Sequence, residues 1–269
     1  MRDLWSGTYD TPAYWDETAA ALISMAELPT GSVVLDVGTG YGGTLFRALD
    51  RIGSAGRIVG IDVENECVDW TKNEVAKRAI SNAEILLMNA RSMSLPDAGF
   101  DVAIAGMVGL DEDYDFRACK TIDGAPMMRE IFRVLKPGGH LYVSGWIWQE
   151  HLEWMRGLVK RHLPHCDERG YFPATEEGYV DLLSGVGFET ARGVPFNGRY
   201  TFDDPANWMA TIHHIWEPEL DRIRALPPEH LRRFEEDAFD LLAAHVTDKG
   251  ELAYQISAVL VAAQKPAIP

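Results

Sequence analysis

The chain of 269 residues is long enough to bury a full core and reads as one domain with an added lobe rather than as two equal domains. Its hydrophobic share of 46% supports ordinary globular folding, while no apolar run approaches the ~20 residues of a membrane helix. The formal charge of −16, from 41 acidic and 25 basic side chains with no Lys/Arg stripe among aromatics, argues against DNA or RNA as a partner.

In chain order, Met1-Arg2-Asp3-Leu4-Trp5 has no apolar core of the signal-peptide kind, which gives a cytoplasmic expectation. Pro12 to Leu28 reads as a helix with Trp15, Ala19, Leu22, Ile23 and Ala26 on one side, ended by Pro29-Thr30-Gly31. The run Val33–Val37, apolar except for Asp36, fits a strand buried on both faces. A crossover helix over Thr44–Ile52 follows, then a strand over Ile58–Asp62, a helix over Glu66–Ala79, and strands over Glu84–Met88 and Phe100–Ala105. A polar stretch with Asp111-Glu112-Asp113-Tyr114-Asp115 precedes a helix over Pro126–Val134, a sharp turn at Lys136–Gly139 and a fifth strand over His140–Gly145, followed by a loop. Strands alternating with helices at this spacing predict an α/β layer sheet with right-handed crossovers. Further on, the pattern gives a helix over Glu176–Gly185, a strand over Phe188–Val194, a helical aromatic segment from Pro205 to Val246 and a closing strand over Tyr254–Gln264. The helical segment is long for a connector, so it reads as a lid or cap over the binding crevice. Cys67, Cys119 and Cys166 stand far apart in a chain with an odd cysteine count, which fits free thiols and no zinc site.

The chemistry concentrates where the first strand meets Gly38-Thr39-Gly40-Tyr41-Gly42-Gly43. Glycines there permit a tight turn and close backbone approach, and the pattern suits both a GxGxG loop and a dinucleotide GxGxxG loop. Asp62, at the end of the second strand, stands where a carboxylate accepts hydrogen bonds from two ribose hydroxyls. Asp36 separates the two cofactor classes. It precedes the first glycine by two positions, where it would repel a diphosphate, whereas a cofactor bearing an ammonium and a sulfonium meets no such conflict. Charge therefore favours S-adenosylmethionine over NAD.

With these residues in place, the chain resembles the class I S-adenosylmethionine-dependent methyltransferases, in particular the group acting on small molecules. The resemblance runs from about Thr30 to Val143. It is carried by Leu35-Asp36-Val37-Gly38-Thr39-Gly40-Tyr41-Gly42, Gly60-Ile61-Asp62, Asn89-Ala90, Leu95-Pro96, Phe100-Asp101 and Lys136-Pro137-Gly138-Gly139, in that order. It implies a three-layer Rossmann-like sheet of seven strands, mostly parallel, with the last strand antiparallel between the fifth and sixth in space. It further implies an S-adenosylmethionine-binding α/β domain over residues 30–200 and 250–269, an N-terminal helical segment over 1–29 that covers the cofactor, and a helical lid over 201–249. Within the site it implies that Gly38, Thr39 and Gly40 lie beneath the methionine part and ribose, and that Asp36 supports the loop and the ammonium end. Asp62 would take the ribose hydroxyls, Val63 would pack on the adenine, and Asn89 would receive the adenine amino group where an aspartate is usual. The Ala90 N–H would reach an adenine nitrogen, and Gly106 and Met107 would face the cofactor ammonium. Plainer uses stand beside these: Asp36 and Asp62 as caps of the turn and helix that follow, and Asn89 as a turn residue.

Methyl transfer from a sulfonium is an in-line displacement in which the protein positions the nucleophile and excludes water. A phenol or carbon acceptor gains from a nearby base. His151, His213 and Tyr9 are the candidates, with His213 and His214 unable to face one point of a helix together. Tyr9 belongs to an N-terminal aromatic set with Trp5, Tyr14 and Trp15, while Trp146, Trp148 and Glu150 flank His151. The run Asp111–Asp115 follows the fourth strand, where similar metal-dependent catechol methyltransferases keep carboxylates for Mg²⁺; it does not otherwise match that group and reads as a solvated loop. The expected function is transfer of a methyl group to O, N or C of a small metabolite, with S-adenosylhomocysteine as product and the protein a monomer or homodimer without membrane or nucleic-acid partner. An NAD-type oxidoreductase and a non-catalytic S-adenosylhomocysteine-binding protein are the alternatives.

Overall fold

The computed structural model describes residues 4–8, 13–109, 114–115, 120–121, 125–163, 174–215 and 217–267. The chain divides into two units: a larger one of Trp15–Ile147, Phe172–Phe196 and Ala258–Pro269, and a smaller one of Met1–Tyr14, Trp148–Tyr171 and Asn197–Ser257. No helix among the described residues is long and apolar enough to cross a membrane.

The larger unit is organised by a sheet whose strands are β1 (Val33–Val37), β2 (Arg57–Asp62), β3 (Ala83–Leu87), β4 (Phe100–Gly106), β5 (Leu135–Gln149), β6 (Glu189–Phe202) and β7 (Leu252–Gln264), the last residues of β5 and β6 and the first of β7 belonging to the smaller unit. They lie in the order β3-β2-β1-β4-β5-β7-β6. β1 pairs in parallel with β2 and β4, β2 with β3, and β4 with β5. β7 runs the other way beside β5. The start of β5 meets the end of β7, with the Lys265 N–H donating to the Gly139 carbonyl at 2.9 Å and the Gly138 N–H to the Lys265 carbonyl at 3.0 Å.

Side chains alternate between the faces of the sheet, and each face has its own helices. Leu35, Val37, Ala103, Ala105, Leu141 and Val143 pack with α4 (Pro126–Val134) and α6 (Glu176–Val186). Val34, Ile58, Val102, Ile104 and Tyr142 pack with α1 (Ala13–Met25), α2 (Gly43–Ile52) and α3 (Asn65–Lys77). Local chemistry fixes the helix ends. Pro126 opens α4 at a position where its missing N–H costs nothing. The Thr175 hydroxyl accepts from the Gly178 N–H at 2.9 Å at the start of α6, and Gly187 ends that helix at φ 113°.

The smaller unit contains α5 (Glu150–His162), α7 (Pro205–Ile215), α8 (Glu217–Arg224) and α9 (Pro228–Ala243). Its core includes Trp208, Ile212, Leu220, Phe234 and Leu242, all buried. Trp5 stacks on Phe234 with centroids 6.0 Å apart and donates from Nε1 to Glu235 at 2.8 Å.

Three local expectations change. The segment after the fifth strand is not a loop but α5, which carries acids in its first turn and bases in its last, as the helix dipole favours. The expected turn at Lys136–Gly139 lies within β5 as an irregularity of register, since Phe100 pairs with Leu135 but Val102 pairs with His140. β6 continues to Phe202, well past Val194.

Asp101 holds the lower edge of the sheet together. Its Oδ2 accepts from the Val33 N–H at 2.8 Å and its Oδ1 from Lys136 Nζ at 2.6 Å, so one carboxylate ties the starts of β1 and β4 to the bulge in β5. Partial burial pushes this carboxyl up, but the Lys136 and Val33 hydrogen bonds hold it below the usual range overall. Replacing Asp101 with Ala should cost about 1–2 kcal/mol of stability, read as a lower urea midpoint with an unchanged slope; an unchanged midpoint would remove this tie from the account.

Candidate functional site

Two aspartates frame the carboxyl edge of the sheet in the larger unit. Asp36 in β1 is fully buried. Its side chain lies on the α2 face, where its Oδ2 accepts from the Thr39 hydroxyl and its Oδ1 from the Thr44 hydroxyl, each at 2.7 Å. The carboxylate thereby pins the glycine loop to the first turn of α2. Burial pushes the Asp36 carboxyl up to about 6; the two threonine hydrogen bonds act against that rise, and nearby Asp62 adds to it.

Asp62 ends β2. Its Oδ2 accepts from the Gly40 N–H at 2.8 Å and its Oδ1 from the Glu64 N–H at 3.0 Å, while the Thr71 hydroxyl donates to the Gly40 carbonyl at 2.7 Å. The loop is thus held at Thr39 by one acid and at Gly40 by the other. Two glycines are required by the geometry. Gly38 has φ 64°, and a Cβ there would come within 2.7 Å of Val108 Cγ2. Gly42 has φ 77° and sits directly before α2.

The loop borders a cavity of about 250 Å³ lined by Gly38, Ile61, Asp62, Val63, Met88, Ala90, Met107 and Val108. Of the residues singled out from sequence, Gly38, Asp62, Val63, Ala90 and Met107 meet around this space, with Asp36, Thr39 and Gly40 behind it as loop supports. Val63 is 57% exposed at the edge of the cavity. Asn89 lies beside the cavity rather than in its wall; its Oδ1 accepts from the Arg91 N–H at 2.9 Å. Gly106 faces α2, and a Cβ there would stand 2.9 Å from Thr44 Cγ2. Met107 takes φ 54°, a conformation few non-glycine residues adopt, and its N–H is shared by the Ser144 carbonyl and hydroxyl at 3.0 Å each. The sequence reading missed Ile61, Met88 and Val108 as wall residues. Their one signal was their place directly before or after a residue already singled out.

Of the three candidate bases, His151 and His213 are described, both in the smaller unit. Tyr9 lies outside the described residues, as do Asp111–Asp113 of the acidic run and the side chain of His214. Among the described residues no group of three His, Cys, Asp or Glu side chains is arranged to hold a metal. His213, in the smaller unit, places Nε2 3.0 Å from Asp221 Oδ1. His151, also there, is completely buried in the first turn of α5. Its ring stacks on Tyr254 at 4.4 Å, its Nε2 lies 3.1 Å from Gln149 Oε1, and its Nδ1 has no hydrogen-bond partner among the described residues. Burial pushes its pKa down to about 3, so it stays neutral across the physiological range.

A profile of the family described as "Methyltransferase domain" matches residues 29–163, half of the chain. The chain is 29% identical over 161 residues to nocamycin O-methyltransferase of Saccharothrix syringae, covering 59% of this chain and 54% of that protein. It is 32% identical over 112 residues to demethylmenaquinone methyltransferase of Lactococcus lactis, covering 42% and 41% respectively. The chain therefore spans about half the length of the curated relatives it matches. In fold it is similar to the crystal structure of YcgJ from Bacillus subtilis, with TM-score 0.60, 18% identity and coverage of 93% of this chain and 98% of that one.

Two predictions follow from the buried groups. Thr39→Val and Thr44→Val should each raise the Asp36 pKa above about 6 and cost about 1–3 kcal/mol, measured by carboxyl ¹³C titration and urea denaturation. A pKa unmoved in both variants would contradict the clamp. For His151, the unfolded chain binds a proton near 6.5 while the folded chain does so only near 3. Stability contributed by His151 is therefore full above pH 6.5 and falls below it, by about 1.4 kcal/mol per unit. Between pH 7 and 5 the wild type should lose about 2 kcal/mol more than His151→Phe; parallel pH profiles would show that the imidazole is not held neutral.

Proposed function

The chain belongs to the methyltransferase-domain family, and from that membership we propose that it transfers the methyl group of S-adenosylmethionine to O, N or C of a small metabolite. The observation that carries this reading is the wall of the cavity beside the glycine loop. It combines the Asp62 carboxylate with apolar Ile61, Val63, Met88, Met107 and Val108 and, among the described residues, contains no Lys or Arg. Asp62 would serve a ribose in either cofactor class; it is Asp36, held behind the glycine loop by Thr39 and Thr44, that opposes a diphosphate and gives complementary charge to an adenosine joined to a cationic amino acid.

In this reading Asp62, its oxygens already oriented by the Gly40 and Glu64 N–H groups, retains lone pairs for two ribose hydroxyls. Val63 supplies an apolar cover for the adenine, and the Ala90 N–H and the free lone pair of Asn89 Oδ1 stand at its polar edge. Gly38 and Gly40 admit the cofactor chain close to the backbone. Asp36 acts from behind the loop: it orients Thr39 and Thr44 and contributes a negative field at the ammonium end. Gly106 and Met107 lie at the same end of β4. When bound, the cofactor supplies the electrophilic methyl carbon; the protein's part is to hold the acceptor in line with the sulfur and to keep water out.

The base assignments are part of the same proposal. His213, oriented by Asp221, and Tyr9 are the candidate proton acceptors for a phenol or carbon acid. His151 has the weaker case, since an imidazole with a pKa near 3 provides little driving force for proton transfer. Residues 201–249 are proposed to act as a lid and residues 1–29 as a cover for the cofactor. The support is the length of the helical insertion between β6 and β7, far beyond an ordinary connector. The reading has the enzyme act in the cytoplasm on a small-molecule acceptor, as a monomer or homodimer.

Incubation with methyl-labelled cofactor and a fractionated metabolite extract should transfer label to a small molecule; label that stays entirely on the cofactor would overturn the enzyme reading. Asp62→Ala should weaken S-adenosylhomocysteine binding by ~1–3 kcal/mol in calorimetry, and unchanged affinity would remove Asp62 from the site. Because Asp36 ionises as pH rises through about 6, affinity for the same ligand should increase from pH 5 to pH 7 in the wild type and stay flatter in Asp36→Asn. Equal slopes would show that this carboxylate does not sense the ligand.

A further inference from the structure

The cavity described above is walled by the ends of β1 to β4, which leaves the β4–β5 side of the same carboxyl edge for a second ligand. Two indoles stand there. Gly106 is in register with Ser144, so Trp146, two residues further along β5, reaches past the sheet alongside Met107 and Val108. Ser144 and Trp146 point to the face covered by α1, as Tyr142 does. On α1, Leu22 lies 3.8 Å from where a Cβ on Gly106 would be, and Ala19 lies 3.6 Å from the corresponding point on Gly43. Trp15 is on the same helical stripe, one turn beyond Ala19 and nearly two turns beyond Leu22 toward the carboxyl edge. The two indoles meet there edge to face, with centroids 5.3 Å apart and planes at 83°. Trp15 remains 38% exposed.

We infer that the Trp15–Trp146 pair forms the acceptor platform of the enzyme and that the acceptor is a planar, uncharged, unsaturated ring system. Two ring planes near a right angle form a corner in which a flat ring stacks on one indole and sets its edge against the other, the arrangement aromatic quadrupoles prefer. An ammonium is also attracted to indole faces, but it covers far less of the two rings than a flat unsaturated system lying along the corner. Asp16, next to Trp15 in sequence, is paired with Arg47 of α2 at 2.7 Å, so that guanidinium is already engaged by a carboxylate. The chain's charge of −16 further disfavours an anionic acceptor. This inference rests on the methyltransferase reading and narrows its acceptor class.

The test uses the full chain saturated with S-adenosylhomocysteine and follows binding of 1-naphthol, choline and cyclohexanol by saturation-transfer NMR and calorimetry. 1-Naphthol should bind the wild type more tightly than either other probe. Trp146→Ala and Trp15→Ala should each weaken it at least fivefold, with Trp146→Phe close to wild type. S-adenosylhomocysteine affinity should change less than twofold in all three variants, which also reports that they are folded. Should Trp146→Ala fail to fold, Trp15→Ala carries the comparison. Tighter binding of choline, no preference among the probes, or 1-naphthol affinity unchanged in the alanine variants would overturn the platform. Failure of the wild type to bind S-adenosylhomocysteine at all would instead strike the underlying methyltransferase reading.

Discussion

The site depends on a carboxylate that water cannot reach. Asp36 lies inside the larger unit with both oxygens occupied by the hydroxyls of Thr39 and Thr44. A buried carboxylate is costly unless its lone pairs are satisfied, and here the groups that satisfy it belong to the glycine loop and the first turn of α2. The cost of burial and the shape of the loop are therefore coupled, because relaxing the loop would strand the charge. Asp62 repeats the device one strand away, using the Gly40 N–H. Between them the two acids fix a loop whose glycines alone would leave it loose.

That arrangement also sets an electrostatic character. A pocket whose supports and wall are acidic, in a chain of strongly negative charge, favours a ligand carrying positive charge at one end and neutral polar groups elsewhere. The carboxyl edge of the sheet then divides by strand. The ends of β1 to β4 bound the cavity, and the β4–β5 side carries the Trp15–Trp146 corner. Gly106, Met107 and Ser144 stand between them, with the Met107 N–H held in an uncommon backbone conformation by Ser144. Strain held in place by a specific hydrogen bond is frequent at functional positions.

Most of the frame was legible in the sequence because it is written in local signals. The run Val33–Val37, short, rich in β-branched residues and bounded by glycine-rich turns, reads as a strand covered on both faces, and β1 has those limits. Glycine spacing and the acids at the ends of two strands located the loop before any coordinates. Long-range effects were not legible. Lys136-Pro137-Gly138-Gly139 has the composition of a turn, yet the pairing of β4 with β5 absorbs it as a bulge. The segment after Gln149 does carry a helical spacing in Leu152, Met155, Leu158 and Val159, but it follows β5 without a turn signal, so His151 read as a loop residue when it is stacked against Tyr254 in an interior. Met88 and Val108 have no distinctive chemistry, and their place in the cavity wall is a consequence of sheet order alone.

The central claim is that the acid-supported crevice suits a cationic adenosine ligand and not a dinucleotide. Calorimetric titration of the intact chain with S-adenosylhomocysteine and, in parallel, with NADH tests it most directly. The account predicts saturable single-site binding of the first and no detectable binding of the second. Saturable NADH binding that S-adenosylhomocysteine fails to displace would contradict it.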